Sequence, residues 1–170
     1  MTTPKDLGDY LEEIVADYLH FVERYSLVSR QQTFLDWNWI RDPSRPGKKR
    51  RVRSPYDLDI VAIKGGNMLL VSCKTNSLST LEMRRELDKL KRGQKILGLK
   101  RYRTQFAMAF ATGSRSDLTT RAPCRVLFLD QIIKKFIGSI PSTESKLTHG
   151  RYLWLLTKMH RFGLVNESID

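Results

Sequence analysis

The stretch "YDLDIVAIKGGNMLLVSCKT", residues 56–75, constrains the fold more than any other part of the chain. Two apolar runs, 58–63 and 68–74, flank "KGGN", whose glycines and asparagine supply the positive φ that a tight hairpin requires. The chain must therefore contain an antiparallel strand pair. Side chains on a strand alternate faces, so Ser72 and Lys74 share one face and Val71 and Cys73 the other. The turn folds Asp59 back toward Ser72 and Lys74. A carboxylate inside a buried strand needs a partner, and an ammonium closing the run "MLLVSCK" either snorkels to water or serves a site.

Other periodicities place the hairpin in a larger unit. Over residues 6–24, Leu11, Ile14, Val15, Tyr18, Leu19 and Val22 recur at helical spacing and predict an amphipathic first helix. "LVSRQQTFLDWNWI", 27–40, predicts a strand with an irregular continuation, in which Trp37 and Trp39 read either as core or as platforms for bases. "RDPSRPGKKRRVRSP", 41–55, has three prolines and a glycine and predicts a loop. A charged helix over 79–99 follows, with Ser79 or Thr80 as N-cap. "QFAMAFAT" and "CRVLFLD" predict two strands with a short helix between them, and 131–138 and 150–162 predict two more helices. The order helix, three strands, helix, strand, short helix, strand, helix predicts an α/β fold, a central mixed β-sheet flanked by helices.

At 170 residues and 41% apolar content the chain suits one domain, with a core over about 6–130 and a C-terminal helical extension over 131–170. Thirty Lys and Arg against 18 Asp and Glu leave a net charge of +12, which favours a polyanionic partner, nucleic acid before an anionic membrane surface. No apolar run approaches the roughly 20 residues of a spanning helix, and the polar, acidic start is unlike a signal peptide. A soluble, cytoplasmic protein without a membrane partner is expected. Cys73 and Cys124 lie in apolar runs and read as buried thiols rather than a disulfide. His20, His149 and His160 are scattered, without the clustering of a catalytic site.

"DLDIVAIKGGNMLLVSCKT" resembles the hairpin of the PD-(D/E)xK nuclease superfamily, in particular archaeal Holliday-junction resolvases and CRISPR-ancillary and Mrr-like nuclease domains. In that pattern an Asp on the first strand is followed across the turn by Glu-x-Lys. Asp59 matches the Asp, Ser72 the Glu, Cys73 the x and Lys74 the Lys. Upstream, "GDYLEEIVADYL" is similar to the family's opening helix; downstream, "ELDKLKRGQKILGL" and "DLTTRA" resemble helices of the CRISPR-ancillary group. The likeness covers about residues 6–130. It implies a restriction-endonuclease-like core and a DNA endonuclease that uses Mg²⁺ or Mn²⁺. It also implies Asp59 and Glu12 as metal carboxylates, the Cys73 carbonyl as a further ligand, and Lys74 near the nucleophilic water. Glu12 is preferred to Glu13 because it lies at the margin of the first helix's apolar stripe, whereas Glu13 faces nearly the opposite side.

Ser72 departs from the pattern, since a neutral hydroxyl is a poor Mg²⁺ ligand. Some restriction enzymes of this superfamily carry serine here and take the missing carboxylate from the following helix. In this chain that helix offers Glu82 and Glu86, four apart, with Glu86 nearer the family's spacing. The other outcome is a catalytically inactive nuclease-fold DNA-binding protein. Asp57 reads as a second ligand, a substrate contact or ordinary turn chemistry.

Lys48, Lys49, Arg50, Arg51 and Arg53 precede the Asp59 strand and suit the phosphates of duplex or branched DNA. Lys89, Lys91, Arg92, Lys95, Lys100, Arg101 and Arg103 form a second basic cluster that also reads as a solvated face. The tail carries an apolar stripe, Leu153, Leu156, Met159 and Phe162, which packs on the core or in a homodimer; the sequence leaves both open.

Overall fold

The computed structural model of the chain describes residues 4–139. The elements are α1 (Pro4–Phe21), β1 (Leu27–Arg41), β2 (Lys49–Lys64), β3 (Asn67–Lys74), α2 (Thr80–Ile96), a 3₁₀ turn (Leu99–Arg101), β4 (Arg103–Phe110), α3 (Arg115–Arg121), β5 (Arg125–Phe128) and α4 (Leu129–Ser139). This is the order read from the sequence, with the 3₁₀ turn added. The helix expected over 150–162, with Leu153, Leu156, Met159 and Phe162, lies outside the described residues, as does most of the extension over 131–170.

The fold is α/β: one mixed sheet in the order β1-β2-β3-β4-β5, with helices on both faces. β1, β2 and β3 pair antiparallel, and β3, β4 and β5 pair parallel. The antiparallel β2–β3 step needs only Gly65 and Gly66, and Gly65 takes a φ of 59°, open to a residue without a Cβ. The parallel steps need longer crossovers, supplied by α2 and α3.

Alternation along the strands sorts the core into two layers. Leu69, Val71, Ala107 and Ala109 face Leu11, Val15 and Leu19 of α1 and Ile132 of α4. On the other face, Met68 and Leu70 meet Leu90, and Met108 and Phe110 meet Met83, Leu87 and Leu118, on α2 and α3. Cys73 and Cys124 are free thiols. α2 starts at a capping box in which Ser79 Oγ accepts from Glu82 N and the Glu82 carboxylate accepts from Ser79 N. Nearer its end, Gly93 lets the helix close on the sheet: a Cβ there would stand 2.8 Å from Leu58 Cδ2 and 3.0 Å from Phe34 Cε1.

The loop expected over 41–55 is mostly strand. Lys49 to Pro55 pair in register with Arg41 to Leu35, and only the turn between β1 and β2 remains irregular. These residues lack hydrophobic alternation because the outer β1–β2 ribbon projects past β3, whose pairing with β2 begins at Ile60. With a neighbour on one side only, this part of β2 tolerates Pro55, which has no N–H to give. The result is a basic two-stranded arm.

Candidate functional site

β2 and β3 stop pairing at Ile60–Val71, one rung before Asp59 and Ser72, while β3 stays paired with β4 as far as Lys74. The sheet therefore opens between β2 and β3 where the sequence places Asp59, Ser72, Cys73 and Lys74. Asp59 replaces the missing backbone partner: its Oδ2 accepts the Cys73 N–H at 2.6 Å.

Ser72 lies beside it, 1% exposed and the only buried polar residue among the described ones. Its Oγ is 3.2 Å from Asp59 Oδ2 and 2.9 Å from Glu86 Oε2. A hydroxyl has one proton, so the two carboxylates compete for it. Glu86 Oε2 also meets Lys74 Nζ at 3.0 Å. One connected chain results: Asp59, Ser72, Glu86, Lys74. Burial raises the Glu86 carboxyl's pKa, but Lys74 outweighs it, with help from Lys89 and Ser72, and the net shift is downward. Glu86 is therefore held as a carboxylate.

Glu12 reaches the same place from α1. Burial and the Asp59 charge push its pKa up to about 7, against the lowering effect of a hydrogen bond from Gln31. Gln31 Nε2 donates to Glu12 Oε2 at 3.3 Å and lies 3.4 Å from Asp9 Oδ1. The backbone of Gln31 is left-handed, with φ 53°, directly across β1–β2 from Asp59, and this is the one rung missing from an otherwise continuous ladder. Both strands change facing there. Leu58 packs on the α2 side and Ile60, two residues on, on the α1 side; Phe34 and Val28 differ in the same way. A strained residue at such a switch is stored where the surrounding fold over-determines it.

Asp59, Ser72, Lys74 and Glu86 thus come together as the sequence suggested, with Glu12 electrostatically coupled to Asp59. Cys73 contributes its amide, and burial and the neighbouring acids raise its thiol pKa well above the ordinary value. Glu82 belongs to the helix cap, Glu13 pairs with Arg30, and Asp57 accepts from Thr33 Oγ1 at 2.7 Å across the ribbon. Gln31 and Asp9 were not legible, because a glutamine in an alternating strand carries no mark of a left-handed backbone. Among the described residues no three His, Cys, Asp or Glu side chains form a metal-holding group. Asp59 and Glu86 are instead joined through one hydroxyl.

Lys49, Arg50, Arg51 and Arg53 lie exposed on β2 and Lys48 at its turn, so the basic segment is a ribbon rather than a loop. Trp37 and Trp39 are 45% and 62% exposed, which removes the core reading. Among the described residues no helix is long and apolar enough to cross a membrane.

No protein-family model matches the chain. No curated protein matches it either. Among solved structures it is similar to the crystal structure of protein VC1899 from Vibrio cholerae, at 17% identity and a TM-score of 0.46, over 75% of this chain. The match spans 32% of that chain's length.

Proposed function

We propose that the protein is a metal-dependent DNA endonuclease of the PD-(D/E)xK type that hydrolyses phosphodiester bonds. The observation that carries the reading is the Asp59–Ser72–Glu86–Lys74 chain at the opening between β2 and β3. It supports a serine variant of the motif in which the following helix supplies the second carboxylate. The donor set suits Mg²⁺ or Mn²⁺: Mg²⁺ commonly uses one or two carboxylates and keeps several waters, so Asp59 and Glu86 would suffice, with the Cys73 carbonyl as the further ligand that the resemblance implies. Bound there, the ion would supply an activated water and neutralise charge on the phosphorane.

The remaining work falls to the chain's own groups. Lys74 offers an ammonium to the nucleophilic water or to the charge developing on the phosphate oxygens. Glu12, with a pKa near 7, takes up or gives up a proton close to neutrality. Basic residues of the arm hold the substrate's phosphates next to β2.

The decisive experiment compares cleavage of linear, branched and single-stranded DNA, with Mg²⁺ and with Mn²⁺, by wild type, Lys74→Ala, Glu86→Ala and Ser72→Glu. The reading expects Lys74→Ala and Glu86→Ala to lose about two orders of magnitude or more, and Ser72→Glu not to exceed wild type. Wild type that leaves every substrate intact would overturn it.

A second reading, a nuclease-fold DNA-binding protein without catalysis, is favoured by one feature: Lys74 and Glu86 satisfy each other. It expects metal-independent, salt-sensitive binding that persists in Asp59→Ala and Lys74→Ala.

A further inference from the structure

We infer that the outward face of the β1–β2 arm binds an unpaired DNA strand, stacking a base on Trp39 and holding phosphates with Arg51 and Arg53. The inference rests on DNA as the partner, as proposed above, but not on cleavage.

Directly opposed residues of an antiparallel pair share a face. Trp39 opposes Arg51, Trp37 opposes Arg53, and Arg41 opposes Lys49. The other face of the arm turns toward α2, where Phe34 packs with Leu90 and Asp36 pairs with Arg92. The tryptophan face is therefore the one directed away from α2 and open to solvent. Arg51 and Arg53 both sit over the Trp37 ring, with Cζ 4.8 and 5.2 Å from its centroid. Stacking on the indole fixes the two guanidiniums without using their hydrogen-bond donors, which stay available to phosphate. Trp39 is the more exposed ring, and among the described residues no cation sits over it.

Charge and shape select the occupant. The tryptophans stand among four cations of the same face, and the first acid on it, Asp57, comes beyond Leu35 and Pro55 and is bonded by Thr33, so a second copy of the face would meet like charge around the tryptophans. The exposed apolar side chains of the face are Leu35, Trp37 and Trp39, with Arg51 and Arg53 over the central ring, too little for insertion into a bilayer. A duplex keeps its base faces inside the stack, whereas an unpaired base has a face to place on an exposed indole. Along the strand, Trp37 and Trp39 are about 6.8 Å apart, near twice the roughly 3.4 Å rise of stacked bases. The same face leads, six residues from Trp37, to Gln31 opposite Asp59, about 20 Å away along an extended chain. A strand laid on the arm thus runs toward the rung of Gln31 and Asp59.

The test is fluorescence anisotropy in EDTA, with a labelled single-stranded oligonucleotide and with the duplex of the same sequence. Trp39→Ala is expected to weaken single-strand binding about tenfold or more and leave duplex binding unchanged, while Trp39→Phe retains most of the affinity. Equal loss on both probes, or loss on neither, overturns the assignment. So does wild type that prefers phosphatidylglycerol vesicles to oligonucleotide. Wild type that binds neither probe removes DNA as the partner and the arm's role with it. Because no metal is present, protein that binds as expected but never cuts refutes cleavage alone, and protein that cuts while Trp39→Ala binds normally refutes the arm alone.

Discussion

Ser72 Oγ stands between two carboxylates, 2.9 Å from Glu86 Oε2 and 3.2 Å from Asp59 Oδ2, at the position that aligns with the glutamate of the PD-(D/E)xK motif. Serine there is a small donor that lets both acids approach. Ser72→Ala removes the only proton they share, at a residue that is itself 1% exposed. Asp59 keeps the Cys73 amide and Glu86 keeps Lys74, so the cost is that of one hydrogen bond to a charged group, about 1.5–3 kcal/mol. Urea unfolding should show a lower midpoint with an unchanged slope.

The Lys74–Glu86 pair should appear in the acid limb of stability. Glu86's pKa is lowered in the folded state, so its contribution is full above the ordinary carboxylate value of 4.5 and is lost as pH falls through the lower folded value. Lys74→Ala removes most of that contribution. Both side chains keep about a quarter of their exposure, so a loss of about 1–2 kcal/mol near neutrality is expected, between the values of exposed and buried pairs. Denaturation at a series of pH values should show wild type and variant converging below pH 4.5.

Glu12 has the opposite sign. Its folded pKa of about 7 lies above 4.5, so the folded protein binds the extra proton and wild-type stability falls as pH rises between those values. Glu12→Gln, which keeps an oxygen for Gln31, should gain on wild type across that window and hold a constant advantage above pH 7. Thermal melts from pH 4 to 8 read the difference; an advantage that is the same at every pH would point to packing instead of charge.

The elements that bury apolar surface were the legible ones. The hairpin, α1 and the strand–helix alternation each follow from periodicity, and the face-sharing of Ser72 with Lys74 follows from strand geometry alone. Glu86 was reachable by spacing along α2, and Glu82 was separated from it only by the cap at Ser79, a choice made by one hydrogen-bond geometry. The arm was misread because most of its residues are exposed and only a few, such as Phe34 and Asp36, meet α2, so its apolar alternation is weak, and its prolines and arginines look like loop chemistry. Gln31 was invisible for a different reason: its left-handed backbone follows from two strands changing facing together, which no local pattern encodes.

Gly93 tests the contact between α2 and the base of the arm. In an exposed helix, Gly→Ala gains about 1 kcal/mol. Here the added carbon would meet Leu58 Cδ2 at 2.8 Å and Phe34 Cε1 at 3.0 Å, and overpacking costs about 1–3 kcal/mol. The cost should win, so Gly93→Ala should melt below wild type. The pairing of Phe34 with Tyr56 at 5.7 Å between ring centroids sits at the same junction, so a near-ultraviolet circular dichroism change should accompany the loss.

The arm's two kinds of contact should separate by salt. Each phosphate neutralised on single-stranded DNA contributes about 0.7 to the slope of log affinity against log salt, and about 0.9 on duplex. Arg51→Ala and Lys49→Ala each remove one cation from the face that carries Trp39, so each should make the single-strand slope shallower by about 0.7. Trp39→Ala removes a stacking surface and no charge, so it should lower affinity at every salt concentration and leave the slope unchanged. Titrations at several salt concentrations, in EDTA, give both quantities at once. If Trp39→Ala and Arg51→Ala shift the slope equally, the indole acts by holding the arginines rather than by receiving a base.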